Sequence, residues 1–236
     1  MSTGRALAWC VHLYTALGLA AAAMMVAAIL RGGDDGFHAA FFWMLVANVI
    51  DGTDGFFARR LEVKKVVPTF DGRKLDDIVD FHTYTSIPLL LIWRAGLLPT
   101  GWEAVLLLPL IASAYGFCQT DAKTPDGYFL GFPSYWNFVA LYLYWLHLSP
   151  WTALGICVLL AVLTFVPMKY LYPSTGGPFS GFMLIGGALY AVLLTVLLLG
   201  LQWQRERLIL LSLAYPLSYL AASWIVTLWT PRKSVR

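Results

Sequence analysis

The sequence contains little charge for its length. Asp, Glu, Lys and Arg make up 12% of its 236 residues, about half of the roughly 25% that is usual in soluble domains. Hydrophobic residues make up 59%, and the 10 Trp, 12 Tyr and 14 Phe are more than a water-exposed surface could hold without aggregation. An ordinary soluble globule and a disordered chain are therefore excluded, and the composition indicates a polytopic membrane protein.

Cysteines and basic tracts are also scarce. The three cysteines, Cys10, Cys118 and Cys157, lie within or at the ends of apolar segments and share no CxxC spacing. We therefore expect small packing residues rather than a disulfide framework. The net charge is +3 and no basic tract exceeds two residues, so we expect no nucleic-acid partner.

Eight apolar segments remain when the sequence is divided at charges, Pro/Gly clusters and turn residues. A helix needs about 20 apolar residues to cross a bilayer core, whereas an open strand would leave backbone groups unsatisfied in lipid. The first segment is longer than the hydrophobic region of about 7–15 residues in a signal peptide, so we expect it to be a span. We predict an all-α fold in which residues 1–236 form a single membrane domain of about eight transmembrane helices: Ala6–Leu30, Phe37–Arg59, Leu75–Leu98, Trp102–Cys118, Phe129–Leu148, Trp151–Leu171, Phe179–Leu201 and Leu208–Thr230.

The Lys and Arg residues are distributed unequally between alternate loops, which predicts the orientation. Four lie on one side, namely Arg31, Arg94, Arg205 and Arg207. The other twelve lie on the opposite side, namely Arg5, Arg59, Arg60, Lys64, Lys65, Arg73, Lys74, Lys123, Lys169, Arg232, Lys233 and Arg236. Because Lys and Arg accumulate in cytoplasmic loops, we expect both termini and the loop between spans two and three to be cytoplasmic.

Acidic residues are concentrated in one short stretch. Seven of the 13 lie between Asp51 and Asp80. Asp51 and Asp54 follow the apolar run FFWMLVANVI, and their i, i+3 spacing places them on one helix face. Asp76 and Asp80 have i, i+4 spacing near the start of the next span. Since a short loop makes the two helices antiparallel neighbours, we expect these four carboxylates to converge.

Four neighbouring carboxylates in a membrane helix pair require compensation, since each costs about 2.5–3.5 kcal/mol on insertion scales. Divalent cations are the natural partners, because hard oxygen ligands suit Mg, Mn or Ca and two such ions would cancel the charge. Arg59 is the nearest protein cation, but it carries one charge. The alternative is a solvated loop with a topological role, which suits Glu62, Asp71 and Asp77 well. An EF-hand is excluded, because DGTDG lacks the required order of ligands.

Two glycines accompany the aspartates. Gly55 follows Asp54 within its helix, and Gly72 lies four residues before Asp76. Glycine in a helix costs about 1 kcal/mol relative to alanine, so each position needs a reason. One reason is the close approach of a ligand to the backbone, and the other is small-residue packing between membrane helices.

Together these residues resemble a known signature. The segment reads Asp51-Gly52-Thr53-Asp54-Gly55-Phe56-Phe57-Ala58-Arg59, then twelve residues, then Gly72-x3-Asp76-x3-Asp80. It resembles the pattern DxxDGxxARx(8–9)GxxxDxxxD of the CDP-alcohol phosphatidyltransferase family, and every fixed position of that pattern is matched. The spacer of twelve residues departs from the pattern. That spacer and the eight predicted spans resemble the bacterial phosphatidylcholine synthase branch.

The resemblance implies a two-metal membrane enzyme of phospholipid biosynthesis, which transfers a phosphatidyl group from CDP-diacylglycerol to an alcohol and releases CMP. Asp51, Asp54 and Asp76 would be metal ligands, and Asp80 would serve the second metal or act as general base. We favour Asp80 as the base, because it lies nearest the apolar part of its span and a carboxylate must accept the alcohol's proton. The nucleotide end of the donor would be bound by Asp54, Gly55, Ala58, Arg59, Gly72 and Asp76.

The acceptor alcohol is not specified by the signature. A phosphorylated acceptor would need several Lys or Arg side chains in its pocket. Few lie near the cytoplasmic span ends outside the signature loop, so a phosphorylated acceptor is disfavoured. Quaternary ammonium groups bind over aromatic faces, and the candidates to hold choline are Tyr84, Tyr135, Trp136, Asn137 and His82. The alternative for the aromatic residues among them is the interfacial belt or ordinary packing.

The sequence thus predicts condensation of CDP-diacylglycerol with choline, dependent on Mn2+ or Mg2+, in a bacterial inner membrane. Serine as acceptor is the nearest alternative. A cation transporter is a second one, since it also uses intramembrane acids, but it would place them at the midplane of several helices. The sequence leaves the oligomeric state open, with a homodimer as one alternative.

Overall fold

The computed structural model describes residues 3–120, 124, 128–171, 179–200 and 204–229. Most of them are helical, as predicted. The α-helices are α1 (Thr3–Arg31), α2 (Gly33–Arg60), α3 (Val63–Val66), α4 (Gly72–Asp80), α5 (Ile87–Arg94), α6 (Leu107–Cys118), α7 (Trp136–Trp145), α8 (Pro150–Phe165), α9 (Ser180–Leu198), α10 (Arg205–Ser212) and α11 (Ala214–Trp229). A π-helical segment (Phe81–Ser86), a 3-10 turn (Glu103–Leu106) and two short strands, β1 (Tyr128–Leu130) and β2 (Lys169–Leu171), complete the elements.

The chain divides into two compact units. Unit 1 comprises Met1–Leu106 and Tyr135–Ala153, and unit 2 comprises Leu107–Ser134 and Leu154–Arg236. The prediction that residues 1–236 form one domain stays a prediction. Four predicted cytoplasmic cations, Lys123, Arg232, Lys233 and Arg236, lie outside the described residues, as do the predicted span ends Leu201 and Thr230.

In unit 1, α1 lies along α2 and also contacts α4, α5 and the π-helical segment. Small side chains on α1 permit this, since Ala8, Ala21 and Ala28 are each less than 5% exposed and small residues let membrane helices approach closely. A Cβ at Gly18 would collide with Val79 of α4. The close contact of α1 with α4 therefore requires glycine at position 18.

The third predicted span, Leu75–Leu98, is built from three consecutive helical pieces. Helix α4 ends at Asp80, the π-helical segment covers residues 81–86, and α5 continues to Arg94. Within the π-helical segment the Thr83 hydroxyl donates to the Val79 carbonyl at 3.1 Å. Single π-helical turns inside helices occur frequently at functional sites, and this one follows an aspartate of the signature directly.

Unit 2 contains the strand pair, which the all-helical prediction did not anticipate. Strand β1 pairs antiparallel with β2, with Phe129 opposite Tyr170. Three side chains of α11 bond to the β2 backbone. The Tyr219 hydroxyl donates to the Leu171 carbonyl at 3.0 Å, and the Leu171 N–H donates to the Ser223 hydroxyl at 3.1 Å. The Thr227 hydroxyl accepts from the Lys169 N–H at 2.9 Å.

This arrangement corrects the limits of two predicted spans. The fifth helix begins at Trp136 rather than Phe129, and the sixth ends at Phe165 rather than Leu171. Gly131 has φ +82, and a Cβ there would collide with the Thr164 backbone, so the chain turns after β1. Hydropathy did not reveal this, because each short strand adjoins an apolar helical run in the sequence.

Three helical stretches of the described residues are long and apolar enough to cross a membrane: Thr3–Arg31, Gly181–Leu198 and Arg205–Trp229. They support the predicted class of helical membrane protein. The count of eight spans stays a prediction. Among the three cysteines, Cys157 is buried, whereas Cys10 and Cys118 are exposed. Only Cys157 therefore packs in the protein interior as expected.

Candidate functional site

Three of the four predicted aspartates come together in unit 1. Asp51 lies on α2, and Asp76 and Asp80 lie one turn apart on α4. One carboxylate oxygen from each lies within 4.8 Å of the other two, and all three residues are partly buried. The two helices thus bring acidic side chains from adjoining segments to one point.

This donor set fits a divalent cation. Protein oxygens bind Mg2+ or Ca2+ at about 2.0–2.6 Å, so the ligands of one ion stand within about twice that distance of each other. The separations of up to 4.8 Å among the three carboxylates meet this condition. Carboxylate oxygens are also the ligand type that Mg2+ and Mn2+ prefer. The three aspartates could therefore hold a metal ion.

Asp54 lies outside this group of three. It is buried, with 7% of its surface exposed, and its Oδ2 accepts a hydrogen bond of 2.7 Å from the Thr15 hydroxyl of α1. The expected convergence of four carboxylates is thus seen for three of them. A direct role of Asp54 as a metal ligand stays a prediction.

The glycines of the signature are covered by side chains. A Cβ at Gly72 would lie 2.7 Å from Cε1 of His12, so the absent side chain leaves room for that imidazole. A Cβ at Gly55 would lie 3.2 Å from Nη1 of Arg59. Ala58 packs against a small hydrophobic cluster of unit 1. The approach of cytidine to these three small residues remains a prediction.

Two of the aromatic candidates for choline lie beside the aspartates. The Tyr84 hydroxyl, in the π-helical segment, donates to Oδ2 of Asp51 at 2.7 Å. The ring of Tyr135 lies 6.2 Å from the Tyr84 ring, at an interplanar angle of 48°. The two rings, called here the aromatic corner, are therefore neighbours beside a carboxylate of the candidate metal site.

The other three acceptor candidates have different surroundings. Trp136 is fully buried, as its alternative role in packing would require. Asn137 is 3% exposed, and its amide donates to Oδ1 of Asn48 at 2.9 Å. His82 is exposed, and its Nδ1 lies 3.0 Å from the hydroxyl of Ser86. Their predicted role in binding choline is untested.

Sequence reasoning missed the polar face of α1. His12 and Thr15, three residues apart, are buried polar residues on α1, and they contact Gly72 and Asp54 of the signature. Tyr14 lies next to this face, with its hydroxyl 2.7 Å from that of Thr53. The signal was visible, because polar residues at helical spacing inside an apolar span call for buried partners.

The comparison with known proteins agrees with this geometry. The sequence profile described as CDP-alcohol phosphatidyltransferase matches residues 11–167. The chain therefore belongs to the CDP-alcohol phosphatidyltransferase family, which confirms the resemblance seen in the signature. Together with the three long apolar helices, membership identifies an integral membrane protein.

Its similar relatives are named phosphatidylcholine synthases. The protein of Pseudomonas aeruginosa is 41% identical over 170 residues, which cover 72% of this chain and 70% of that protein. The protein of Legionella bozemanae is 44% identical over 137 residues, 57% of this chain and 63% of that protein. The protein of Legionella pneumophila is 40% identical over 169 residues, which cover 71% of this chain and 65% of that protein. The chain thus spans about two thirds of the length of these relatives.

Proposed function

We propose that the protein is a phosphatidylcholine synthase, which transfers the phosphatidyl group of CDP-diacylglycerol to choline and releases CMP. The observation that supports this most directly is the group of three carboxylates within 4.8 Å on the two helices that carry the family signature. The printed names of the relatives supply the acceptor. A cation transporter would not need this signature.

Mn2+ or Mg2+ is the proposed cofactor, with two ions held by Asp51, Asp54, Asp76 and Asp80. The close approach of three of these carboxylates supports the proposal, because they need a cation to offset their mutual repulsion. When bound, divalent ions would neutralise the negative charge of the diphosphate and of its transition state.

Asp80 is the proposed general base. It would accept the proton of the choline hydroxyl while the hydroxyl oxygen forms a bond to the phosphorus of the phosphatidyl group. The bond from that phosphorus to the bridging oxygen breaks, and CMP leaves with the electron pair. A positioned carboxylate of this kind contributes typically about 10²–10⁴-fold. Membership of Asp80 in the group of three carboxylates that could hold a metal ion supports this role.

The nucleotide end of the donor would lie over the signature of α2 and the start of α4. The proposed contacts are Asp54, Gly55, Ala58, Arg59, Gly72 and Asp76. The guanidinium of Arg59 lies over Gly55, so its positive charge is available on the face of α2 that would receive phosphate oxygens.

The corner between Tyr84 and Tyr135 is the proposed seat of the choline ammonium. A quaternary ammonium has no N–H to donate, so it is held by aromatic faces and nearby negative charge, worth about 0.5–2 kcal/mol for each face. The neighbouring rings of Tyr84 and Tyr135, with the Asp51 carboxylate bonded to Tyr84, support this seat. Serine carries a carboxylate and an ammonium with N–H donors, which aromatic faces alone would not match.

The membrane arrangement is part of the proposal. The hydropathy and the distribution of Lys and Arg support about eight spans, with both termini and the active site in the cytoplasm. The bacterial relatives support a bacterial inner membrane. A cytoplasmic site suits a donor whose nucleotide is in water and whose acyl chains stay in lipid.

The decisive experiment supplies purified protein in detergent or liposomes with CDP-diacylglycerol, Mn2+ and either choline or serine. We expect CMP and phosphatidylcholine to form with choline, and EDTA to stop the reaction. CMP release with serine but not with choline would reject the acceptor, and full activity in EDTA would reject the metal.

A further inference from the structure

The paired aspartates of α2 share a feature that the signature does not contain. Oδ2 of Asp51 accepts from the Tyr84 hydroxyl, and Oδ2 of Asp54 accepts from the Thr15 hydroxyl, each at 2.7 Å. The two donors lie on different elements, the π-helical segment and α1. Each carboxylate of the pair is therefore bonded to a hydroxyl from a helix other than its own.

Such a bond fixes the rotation of a carboxylate. A hydrogen bond from a hydroxyl to a charged oxygen is about twice as strong as one between neutral groups. Side chains that bond to metal ligands set the orientation of those ligands, and their loss costs about 10–100-fold in metal affinity. With one oxygen of each carboxylate held in place, the direction of the other oxygen is also determined.

Both donors are themselves held firmly. Thr15 is 7% exposed and lies three residues before Gly18, the residue that permits the close contact of α1 with Val79 of α4. The Tyr84 ring lies against that of Tyr135. Both donors thus belong to parts of unit 1 that pack against other elements.

We propose that Thr15 and Tyr84 are positioning residues, which orient Asp54 and Asp51 toward the divalent cations and the donor diphosphate. The inference rests on the proposed function, because it assumes that these carboxylates bind metal. It gives Tyr84 two separate tasks. The hydroxyl orients Asp51, and the ring is the proposed contact of the choline ammonium.

The test measures binding of Mn2+ alone, in the purified protein without substrates, from the electron paramagnetic resonance signal of unbound Mn2+. Thr15→Val removes the hydroxyl at nearly constant shape, and Tyr84→Phe removes the hydroxyl and keeps the ring. We expect each variant to bind Mn2+ about 10–100-fold more weakly than the wild-type protein. In turnover assays, a higher Mn2+ requirement should accompany a KM for choline that changes less than about twofold.

Three further variants separate positioning from general damage. Thr15→Ser retains a hydroxyl and should recover most of the Mn2+ affinity. Tyr14→Phe removes the neighbouring hydroxyl, which bonds to Thr53 rather than to a carboxylate, and should bind Mn2+ as the wild type does. In an Asp54→Asn background, Thr15→Val should add little, because residues that act through one another are not additive.

The outcomes are distinct. Wild-type binding of Mn2+ together with unchanged affinity in Thr15→Val and Tyr84→Phe would overturn the inference and leave the proposed function standing. A loss of Mn2+ affinity in Thr15→Val that Thr15→Ser does not restore would also overturn the inference, because the effect would then come from packing. The same holds if the losses of Mn2+ affinity in Thr15→Val and Asp54→Asn are fully additive. A wild-type protein that binds no Mn2+ would overturn the metal site and the inference together.

Discussion

The two units of the molecule use buried polar groups in different ways. In unit 1, hydroxyls bond to carboxylate side chains, as Thr15 does with Asp54 and Tyr84 with Asp51. In unit 2, the polar residues of α11 bond to backbone groups of β2 instead, as Ser223 does with the Leu171 N–H. The buried hydroxyls are thus matched by carboxylates in one unit and by backbone groups in the other.

The physical reason for the difference is charge. An uncharged backbone group of a strand edge needs one partner, which a serine or threonine supplies, and nothing further is required. One hydroxyl partner does not cancel the charge of an ionised carboxylate, and three ionised carboxylates with oxygens within 4.8 Å of one another would repel. Among the residues that the structure describes, only unit 1 therefore has a group of carboxylates that needs a cation. Substitutions in the two units should thus have separable effects.

The largest effect is expected at the carboxylate group itself. Asp51→Ala removes one of the three converging oxygens, so Mn2+ affinity and CMP release should both be lost, by at least about 100-fold. The measurements are Mn2+ binding and CMP release by the same preparation. Metal affinity that survives intact would show that the three carboxylates do not act as one site.

Asp80→Asn should have the next largest effect. At saturating Mn2+ the variant should still bind CDP-diacylglycerol, while turnover falls about 10²–10⁴-fold because the proton acceptor is lost. Donor binding by equilibrium dialysis and CMP release measure the two properties. Asp77→Asn is the matched control, since Asp77 lies on the same helix outside the group of three, and it should remain active. Appreciable turnover in Asp80→Asn would assign the base to another residue.

A smaller effect is expected at the aromatic corner. Tyr135→Leu should raise the KM for choline about 2–30-fold, which corresponds to the loss of one cation–π contact of about 0.5–2 kcal/mol. Mn2+ affinity and the KM for CDP-diacylglycerol should not change. An unchanged KM for choline would move the ammonium away from this corner and favour the packing alternative for Tyr135.

In unit 2, turnover should be least affected. Ser223→Ala leaves the buried N–H of Leu171 without its partner, so the free energy of unfolding should fall by about 1–3 kcal/mol, with a lower Tm in detergent. Catalytic constants of the folded fraction should match those of the wild type. A selective loss of Mn2+ binding or of kcat in this variant would contradict the separation of the two units.

Local spacing predicted the acidic group correctly in its main part. The i, i+4 pair Asp76 and Asp80 shares a helix face, and the short loop from α2 makes its meeting with Asp51 expected. Spacing could not reveal that Asp54 lies outside the group, because its partner Thr15 is 39 residues away in the sequence. For the same reason, the helical spacing of His12 and Thr15 on α1 indicates that they need buried partners, but not which residues those partners are.

The sequence by itself indicated the membrane class, the family and the helices that bear the aspartates, because hydropathy, helical periodicity and the spacing of the signature are properties of neighbouring residues. Only the tertiary structure decided which hydroxyl supports which carboxylate, that the His12 ring occupies the space beside Gly72, and that β1 pairs with β2. These contacts join residues far apart in the chain, and their free energy depends on packing and on the satisfaction of buried polar groups, which no local pattern encodes.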